Sequence, residues 1–194
     1  FPLEASKNVL ICGPNGTGKS TLLTGIYSNQ LPVQWTKPPK SCLFCPQAAV
    51  LFTGSALDLL GESMIPDDGV EEAVPVDEEN PIPLLTASAG IGRVHEALKA
   101  VGLENSQFDL EKVYTIAQWK THLTPGQLNR LALARVLLKK PQFALLDETL
   151  VTLSAEELPG LFSLFQQQGT TILATAHEPN SQFKSLFSVI KTIK

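Results

Sequence analysis

Residues 8–21 read NVLICGPNGTGKST, and this stretch decides the fold. An apolar run at Asn8–Cys12 leads into a segment with three glycines, and a helical pattern begins at Lys19. A short apolar run bounded by turn residues is typical of a buried strand. Glycines let the backbone curl at positions where other residues would be strained. The stretch therefore predicts a strand, a glycine-rich loop and a helix in direct succession.

The loop fits the pattern GxxxxGK[ST], which indicates a phosphate site when a strand precedes it and a helix follows. Successive backbone amides form an anion nest, and the start of the helix adds its positive dipole end. Lys19 supplies a charge for the β- and γ-phosphates, and Ser20 offers a hydroxyl to Mg²⁺. A glycine-rich turn with an incidental lysine is the alternative. We predict that a nucleoside triphosphate binds here with Mg²⁺, with nucleotide contacts from Gly13, Pro14, Asn15, Gly16, Thr17, Gly18, Lys19, Ser20 and Thr21.

Residues 143–148 read FALLDE, so four apolar positions run into two acids. Ligands of parallel sheets bind at the carboxyl ends of the strands, where Asp147 would emerge. Asp147 would hold the hydration shell of Mg²⁺, and Glu148 could accept a proton from the attacking water. An ordinary helix cap or turn is the alternative for two acids after a strand.

Apolar runs and helical spacing alternate along the chain. Strands separated by helices imply crossover connections and therefore a mostly parallel sheet in an α/β fold. Thr124 is placed as the N-cap of one helix, with Pro125 as its first residue. The predicted strands are Asn8–Cys12, Ser41–Cys45, Gln142–Leu146, Thr171–Ala174 and Leu186–Ile190, and the helices begin at Lys19, Arg93, Pro125 and Ala155.

Composition bounds the size and the partners of the chain. Its 194 residues are 43% apolar and 18% charged, which fits one globular domain or a core with one large insertion. The net charge is −4, and no basic stripe points to a nucleic-acid partner. Residues 62–92 are acidic and proline-containing, so we predict an exposed, flexible loop. Cys42 and Cys45 lie three apart on a predicted strand, and we expect both to pack in the core rather than to bind zinc.

Between the two site motifs, residues 123–135 read LTPGQLNRLALAR, which resembles the LSGGQ signature of ABC ATPases. Gln47 and His177 follow strands, as the family's Q-loop and switch histidine do, and TLVTLS at 149–154 occupies the place of its D-loop. The resemblance implies a P-loop NTPase of the ABC type, with a three-layer core and an inserted helical subdomain. The ATP-binding core would comprise 1–47 and 140–194, and the helical subdomain 48–139, including the acidic loop.

The finer resemblance is to ABC subfamily D, the peroxisomal acyl-CoA type and its lysosomal cobalamin relative. Trp119 and Lys120 before the signature, Pro125 inside it and KPPKSCLFCPQ at 37–47 carry this resemblance. It implies transport of a fatty acyl-CoA or cobalamin type of substrate, driven by ATP hydrolysis. The domain would lie at the cytosolic face of a peroxisomal or lysosomal membrane. Its transmembrane domain would belong to the same longer chain or to a separate subunit.

The resemblance also implies how the chain works. Two such domains would close head to tail, so that Thr124, Gly126 and Gln127 face the nucleotide held by the partner domain. Gln47 would contact Mg²⁺ or the attacking water, as a third metal contact beside Ser20 and Asp147. His177 would donate to the γ-phosphate, so that Glu148, His177, Gln47 and Lys19 form the catalytic set.

The sequence departs from the family at several positions. Thr124 and Pro125 replace Ser and Gly of the signature, Ser154 stands at the usual D-loop Asp, and Glu178 follows His177 where Arg is frequent. We identify no aromatic residue that would stack on adenine, and we do not expect Phe1 to substitute. Two alternatives therefore stay open, namely a non-transport ABC ATPase and a degenerate nucleotide-sensing domain with little turnover.

Overall fold

The computed structural model describes residues 3–31, 41–61, 87–105, 108–178 and 181–193. Five strands in this part form a single sheet in which every paired strand runs parallel to its neighbours. The strands are β1 Val9–Cys12, β2 Cys42–Cys45, β3 Phe143–Asp147, β4 Thr171–Ala176 and β5 Val189–Thr192. Their order across the sheet is β2-β3-β4-β1-β5. The predicted parallel α/β sheet is confirmed.

Helices connect the strands. They are α1 Lys19–Tyr27, α2 Ala56–Gly61, α3 Ala87–Ala100, α4 Ile116–His122, α5 Pro125–Lys139, a 3-10 helix at Thr149–Thr152, α6 Glu157–Gln167 and α7 Ser181–Lys184. The predicted starts at Lys19 and Pro125 are confirmed. Helix α6 begins at Glu157 rather than at Ala155, and sequence reasoning missed the short helices α2, α4 and α7.

The predicted loop at 62–92 is wrong at its end, because helix α3 begins at Ala87 rather than at Arg93. Residues 62–86 lie outside the described residues. The helical face that shows in the sequence begins only at Val94, which packs in the core with Ala97 and Leu98. Residues 87–92 extend that helix towards its amino end. Apolar residues do not recur at helical spacing in this part of the sequence, so the sequence does not predict a helix there.

The sheet buries both of its faces. On β1, Val9 and Ile11 contact the cluster built on Leu23 and Ile26 of α1, whereas the intervening residues face the opposite cluster. This opposite cluster is larger, since α2, α3, α5 and α6 all contribute to it. Alternation of side chains along each strand produces the two layers. The sheet is therefore covered on both sides, as parallel sheets require.

Helix α5 ties the segment between β2 and β3 to the sheet. It is buried over most of its length, from Leu131 to Leu137, and it packs against β2, α2 and α3. Its Ala132 carbonyl oxygen lies 3.8 Å from the Cys45 sulfur atom. The residues ahead of α5 are therefore held in a fixed relation to the carboxyl end of β2.

The two cysteines of β2 pack in different layers. Cys45 is buried in the larger cluster, and Cys42 contacts the cluster on the α1 side. Burial raises the pKa of each thiol to about 12. Both are therefore neutral packing groups, as predicted for positions three apart on a strand.

Candidate nucleotide-binding site

The carboxyl ends of the parallel strands bring the sequence motifs to one edge of the sheet. The glycine-rich loop follows β1, Gln47 follows β2, Glu148 follows β3 and His177 follows β4. Strand β4 lies between β1 and β3, so the loop and the two acids are one strand apart. This spacing leaves a cleft at the edge of the sheet, which is where ligands of parallel sheets bind.

The phosphate loop needs its glycines for two separate reasons. Gly16 and Gly18 have φ values of 83° and 86°, in the left-handed region that favours glycine. At Gly13, a methyl group would lie 2.6 Å from the Ile193 carbonyl oxygen. The Gly13 amide also donates to the His177 carbonyl oxygen at 3.1 Å, so the loop is fastened to the end of β4.

Lys19 is folded back into the loop that precedes it. Its ammonium donates to the carbonyl oxygens of Gly13 at 2.7 Å and Pro14 at 3.0 Å. The residue is only 5% exposed, although it carries a charge. Nearby, burial raises the pKa of the Cys12 thiol, an effect that the charge of Lys19 opposes, so the thiol stays neutral. The loop thus holds a fixed positive charge at its centre.

Glu148 meets this charge from across the sheet edge. One of its carboxylate oxygens lies 3.5 Å from the Lys19 nitrogen, and the other accepts a hydrogen bond of 2.9 Å from the Gln47 amide. The backbone of Glu148 has a φ of 50°, which is uncommon for a residue with a side chain. These contacts lie at an open cavity of about 310 Å³ lined by Asn15, Gly16, Gly18, Lys19, Ser20, Thr21, Gln47 and Glu148.

Asp147 lies behind this cavity rather than in its lining. It is 3% exposed, and its Oδ1 accepts a hydrogen bond of 2.6 Å from the Thr175 hydroxyl. Ser20 and Gln47 line the cavity and Asp147 does not, and all three carry the oxygen type of ligand that Mg²⁺ prefers, often one or two carboxylates together with phosphates. The described ranges contain no cluster of three or more His, Cys, Asp or Glu side chains that would suit a metal held by protein alone.

The signature residues and His177 do not line the cavity. Thr124 caps α5: its hydroxyl accepts from the Gln127 amide at 3.3 Å, and the Gln127 side chain accepts from the Thr124 amide at 2.9 Å. Gly126 lies in the first turn of the same helix. The His177 side chain is 57% exposed, and its Nδ1 is 4.0 Å from the Glu178 carboxylate.

Sequence reasoning did not single out Thr175, Glu157 or Arg130. Thr175 contacts the carboxylate of Asp147 at the end of β3 and the backbone amide of Glu148, and only the pairing of β3 with β4 reveals these contacts. Ser154 and Glu157 exchange hydrogen bonds at the start of α6, and the S-x-x-E pattern before an apolar run could have indicated this pair. Arg130 of α5 donates to Glu157 and to the Thr152 carbonyl oxygen.

Arg130 joins helix α5, the signature helix, to Thr152 and Glu157 in the segment after Glu148. Its guanidinium contacts both carboxylate oxygens of Glu157, and it also donates to the Val101 carbonyl oxygen at 2.7 Å. The hydrogen bonds from Arg130 to the Glu157 carboxylate lower the pKa of Glu157 to about 2. Ser154 lies in the same network, which gives it a structural role at the position where most ABC sequences have Asp.

A phosphate loop after one parallel strand and paired acids after another define a P-loop NTPase fold. Residues 1–151 match the ABC transporter family, and the chain therefore belongs to that family. The chain is a nucleotide-binding domain of the type found in this family. The curated relatives that it matches include members of subfamily D, as the sequence resemblance predicted.

Curated relatives align over nearly the whole chain. It is 30% identical to ATP-binding cassette sub-family D member 1 of Drosophila melanogaster, over 91% of this chain and 23% of the relative. It is 31% identical to ATP-binding cassette sub-family D member 3 of Rattus norvegicus, over 91% of this chain and 25% of the relative. The human lysosomal cobalamin transporter ABCD4 is 30% identical, over 95% and 29%. The chain thus spans about a quarter of the length of these relatives.

Solved structures share the fold. A bacterial Atm1-family ABC exporter with ATP bound superposes with a TM-score of 0.64 at 19% identity, covering 98% of this chain and 32% of the exporter chain. An ATP-binding cassette of an ABC transporter in its ADP conformation superposes with a TM-score of 0.57 at 18% identity. The match covers 97% of this chain and 77% of the cassette. Within the described part of the chain, the helices are too short or too polar to cross a bilayer.

Proposed function

We propose that this chain binds and hydrolyses ATP with Mg²⁺ as the motor domain of a membrane transporter. One observation carries the proposal: the ammonium of Lys19 and the carboxylate of Glu148 lie 3.5 Å apart in a cavity built on a glycine-rich loop. A phosphate-binding cation and a proton acceptor are the two groups that hydrolysis of a phosphoanhydride needs first. Both are present here within one fold.

Each residue has a proposed role that follows from its position. The loop amides and Lys19 would bind the β- and γ-phosphates, and the triphosphate would replace Glu148 as the partner of Lys19. Ser20, Gln47 and Asp147 would hold Mg²⁺, which neutralises charge on the phosphates when bound. Glu148 would then accept a proton from the attacking water. Its hydrogen bond from Gln47 keeps the carboxylate at the cavity.

The signature residues would act on a second copy of the domain. Thr124, Gly126 and Gln127 begin α5, and the amino end of a helix of this length attracts anions. They do not line this chain's own cavity, which is what a role in the partner's site requires. His177 would donate to the γ-phosphate once the two domains close. We therefore propose a head-to-tail dimer with two composite ATP sites.

We extend the proposal to the whole transporter on the strength of the subfamily resemblance. A transmembrane domain would couple to the chain, from the same longer chain or from a separate subunit. The transported substrate would be of the fatty acyl-CoA or cobalamin type, since one relative is named a lysosomal cobalamin transporter. The domain would then lie at the cytosolic face of a peroxisomal or lysosomal membrane.

The direct test is Mg-ATPase activity of the purified chain beside its Glu148→Gln variant. We expect kcat to fall by about 100-fold or more, because general base catalysis contributes on that scale. Glu156→Gln is the matched control, since Glu156 is an exposed acid in the same region of the chain. Equal activity in wild type and Glu148→Gln would contradict the role of Glu148. Tight ATP binding without phosphate release by the wild type would favour the nucleotide-sensing alternative.

Coupling to a membrane partner needs a separate experiment. A photoreactive residue at exposed Ala48, beside Gln47, should crosslink to the transmembrane domain in membranes that contain the full transporter. The same residue at exposed Lys7 is the control. Absence of crosslinks from Ala48 would favour a non-transport ABC ATPase, and equal crosslinking from Ala48 and Lys7 would contradict a specific contact beside Gln47. ATPase stimulation by cobalamin or by a fatty acyl-CoA in reconstituted vesicles would then identify the substrate class.

A further inference from the structure

Thr175 lies on β4 directly opposite Asp147 of β3, and it is 1% exposed. We propose that Thr175 is a positioning residue that fixes both acids of the ATP site, an inference that rests on the proposed function. Its hydroxyl is shared between the two acids, since it contacts the carboxylate of Asp147 and the backbone amide of Glu148. No contact of Thr175 with nucleotide is required for this role.

The direction of both hydrogen bonds follows from the groups involved. The Glu148 amide can only donate, so the Thr175 oxygen accepts from it, at 3.0 Å. The single hydrogen of the hydroxyl is then donated to Oδ1 of Asp147, at 2.6 Å. A side chain with a hydroxyl is needed to do both at once. Valine has the same shape but offers neither a donor nor an acceptor.

The contact with Asp147 limits the rotation of a metal-binding carboxylate. The terminal torsion of an aspartate is broad, so packing alone fixes it poorly. The hydrogen bond to Oδ1 selects one orientation of the carboxylate of Asp147, which is almost fully buried. Partners of this kind typically change metal affinity by about 10–100-fold when they are removed.

The contact with Glu148 supports a strained turn. Glu148 is a non-glycine residue with a φ of 50°, and such conformations persist where their surroundings hold them. The hydrogen bond from its amide to Thr175 is one such restraint. This turn directs the Glu148 carboxylate towards Lys19 and Gln47. Thr175 therefore controls the metal ligand and the proposed base through one hydroxyl.

Three variants test the proposal. Thr175→Val removes the hydroxyl at nearly constant shape, Thr175→Ser keeps it, and Thr175→Ala removes it without leaving a methyl group against Asp147. Thr170→Val is the matched control, because Thr170 is also buried and its hydroxyl donates to the Pro141 carbonyl oxygen at 2.7 Å. Thermal unfolding should report a similar loss of stability in Thr175→Val and Thr170→Val.

Two readouts distinguish positioning from stability. Affinity for a fluorescent ATP analogue is measured with and without Mg²⁺, and kcat and KM are measured over a range of Mg²⁺ concentrations. We expect Thr175→Val and Thr175→Ala to weaken the Mg²⁺-dependent gain in affinity by about 10-fold or more. Binding without Mg²⁺ should be unchanged. We also expect kcat to fall by at least about 10-fold with little change in KM, and Thr175→Ser to restore both quantities.

The outcomes separate the inference from the function on which it rests. Wild-type Mg²⁺ dependence and kcat in both hydroxyl-free variants, with an active wild type, would overturn the inference alone. An equal loss in Thr170→Val would also overturn it, since the effect would then be general to buried threonines. A wild type that binds ATP with Mg²⁺ but releases no phosphate would overturn the proposed hydrolysis, while the binding comparison would still test Thr175. If Thr175→Val does not fold, Thr175→Ala and Thr175→Ser decide the question.

Discussion

The phosphate-loop site and the signature segment, residues 123–127, are held in place in different ways. In the first, Gln47 and Glu148 are 101 positions apart in the chain and yet share a hydrogen bond. In the second, Thr124 and Gln127 are three positions apart and bond to each other. The first site is assembled by the sheet, whereas the hydrogen bonds of the second join residues within one helical turn.

This difference bears on how an ATP site can be completed. The phosphate loop already brings its cation and acid together within one chain. The signature segment presents the start of a helix and contacts none of these groups in the same chain. A helix start attracts anions, and in the head-to-tail dimer proposed above this helix start would face the nucleotide of the second chain.

Lys19→Met tests whether the phosphate loop needs the positive charge of Lys19 to bind nucleotide. Lys19→Met should weaken binding of a fluorescent ATP analogue by about 100-fold, or about 2.7 kcal/mol, because hydrogen bonds to a charged partner are lost. Lys7→Met is the control, since Lys7 is an exposed lysine that pairs with Glu4 and does not line the cavity. Similar affinities in the two variants would contradict the assignment of the loop.

A second experiment asks whether the two regions work in different chains. Gly126→Asp places an acid in the first turn of α5, where it suits the helix dipole but would repel a phosphate. Lys19→Met and Gly126→Asp should each be inactive alone, whereas their mixture should recover about a quarter of wild-type activity. Half of the dimers that form at random are mixed, and each mixed dimer has one intact site.

Ala117→Asp is the matched control for Gly126→Asp. Ala117 is exposed and occupies the equivalent position in α4, which has the same Thr and Gln capping box. We expect it to keep full activity on its own. A mixture of Lys19→Met and Gly126→Asp that stays inactive would contradict the head-to-tail arrangement. Full activity of Gly126→Asp alone would show that the signature segment is not used.

The stabilising contact between Arg130 of α5 and Glu157 of α6 should depend on pH. The hydrogen bonds from Arg130 lower the pKa of Glu157 from its usual 4.5 to about 2 in the folded chain. The pair therefore stabilises the fold fully above pH 4.5, and this contribution is lost as the pH falls towards 2. We expect Glu157→Gln to cost about 1–2 kcal/mol at pH 7, because both side chains are partly exposed to solvent.

Urea unfolding of wild type and Glu157→Gln between pH 7 and pH 3 measures this contribution. The difference in free energy of unfolding should shrink as the pH falls below 4.5. Glu156→Gln, an exposed neighbour, should show little difference at any pH. A difference that is constant with pH would mean that the pairing with Arg130 does not stabilise the fold.

The smallest effect compares the two capping boxes directly. Thr124→Ala and Thr115→Ala each remove an N-cap hydroxyl, and each should cost about 1 kcal/mol in urea unfolding. The two variants are expected to differ in function, since α5 begins the signature segment and α4 does not. Thr124→Ala should lower ATPase activity several-fold, and Thr115→Ala should leave it unchanged. Equal activities would remove the functional distinction between the two helix starts.

Parts of the fold and of the site are readable because their signals are local. The glycines of the phosphate loop adjoin the strand and the helix that they connect, and Thr124 with Pro125 starts α5 where predicted. The beginning of α3 is not readable, because residues 87–92 add no periodic apolar face. Helix α4 was missed even though Thr115 and Gln118 form a capping box, since only Trp119 in its seven residues is buried.

The amino-acid sequence by itself determined the parallel α/β class, the phosphate loop, the acids after β3 and the family. These depend on neighbouring residues, whose spacing survives in the one-dimensional chain. Only the tertiary structure decided that Glu148 pairs with Lys19 and Gln47, that Asp147 bonds to Thr175, and that Arg130 joins the signature helix to Glu157. These contacts depend on which strands are neighbours and in what register they pair, and burial of the whole sheet fixes both.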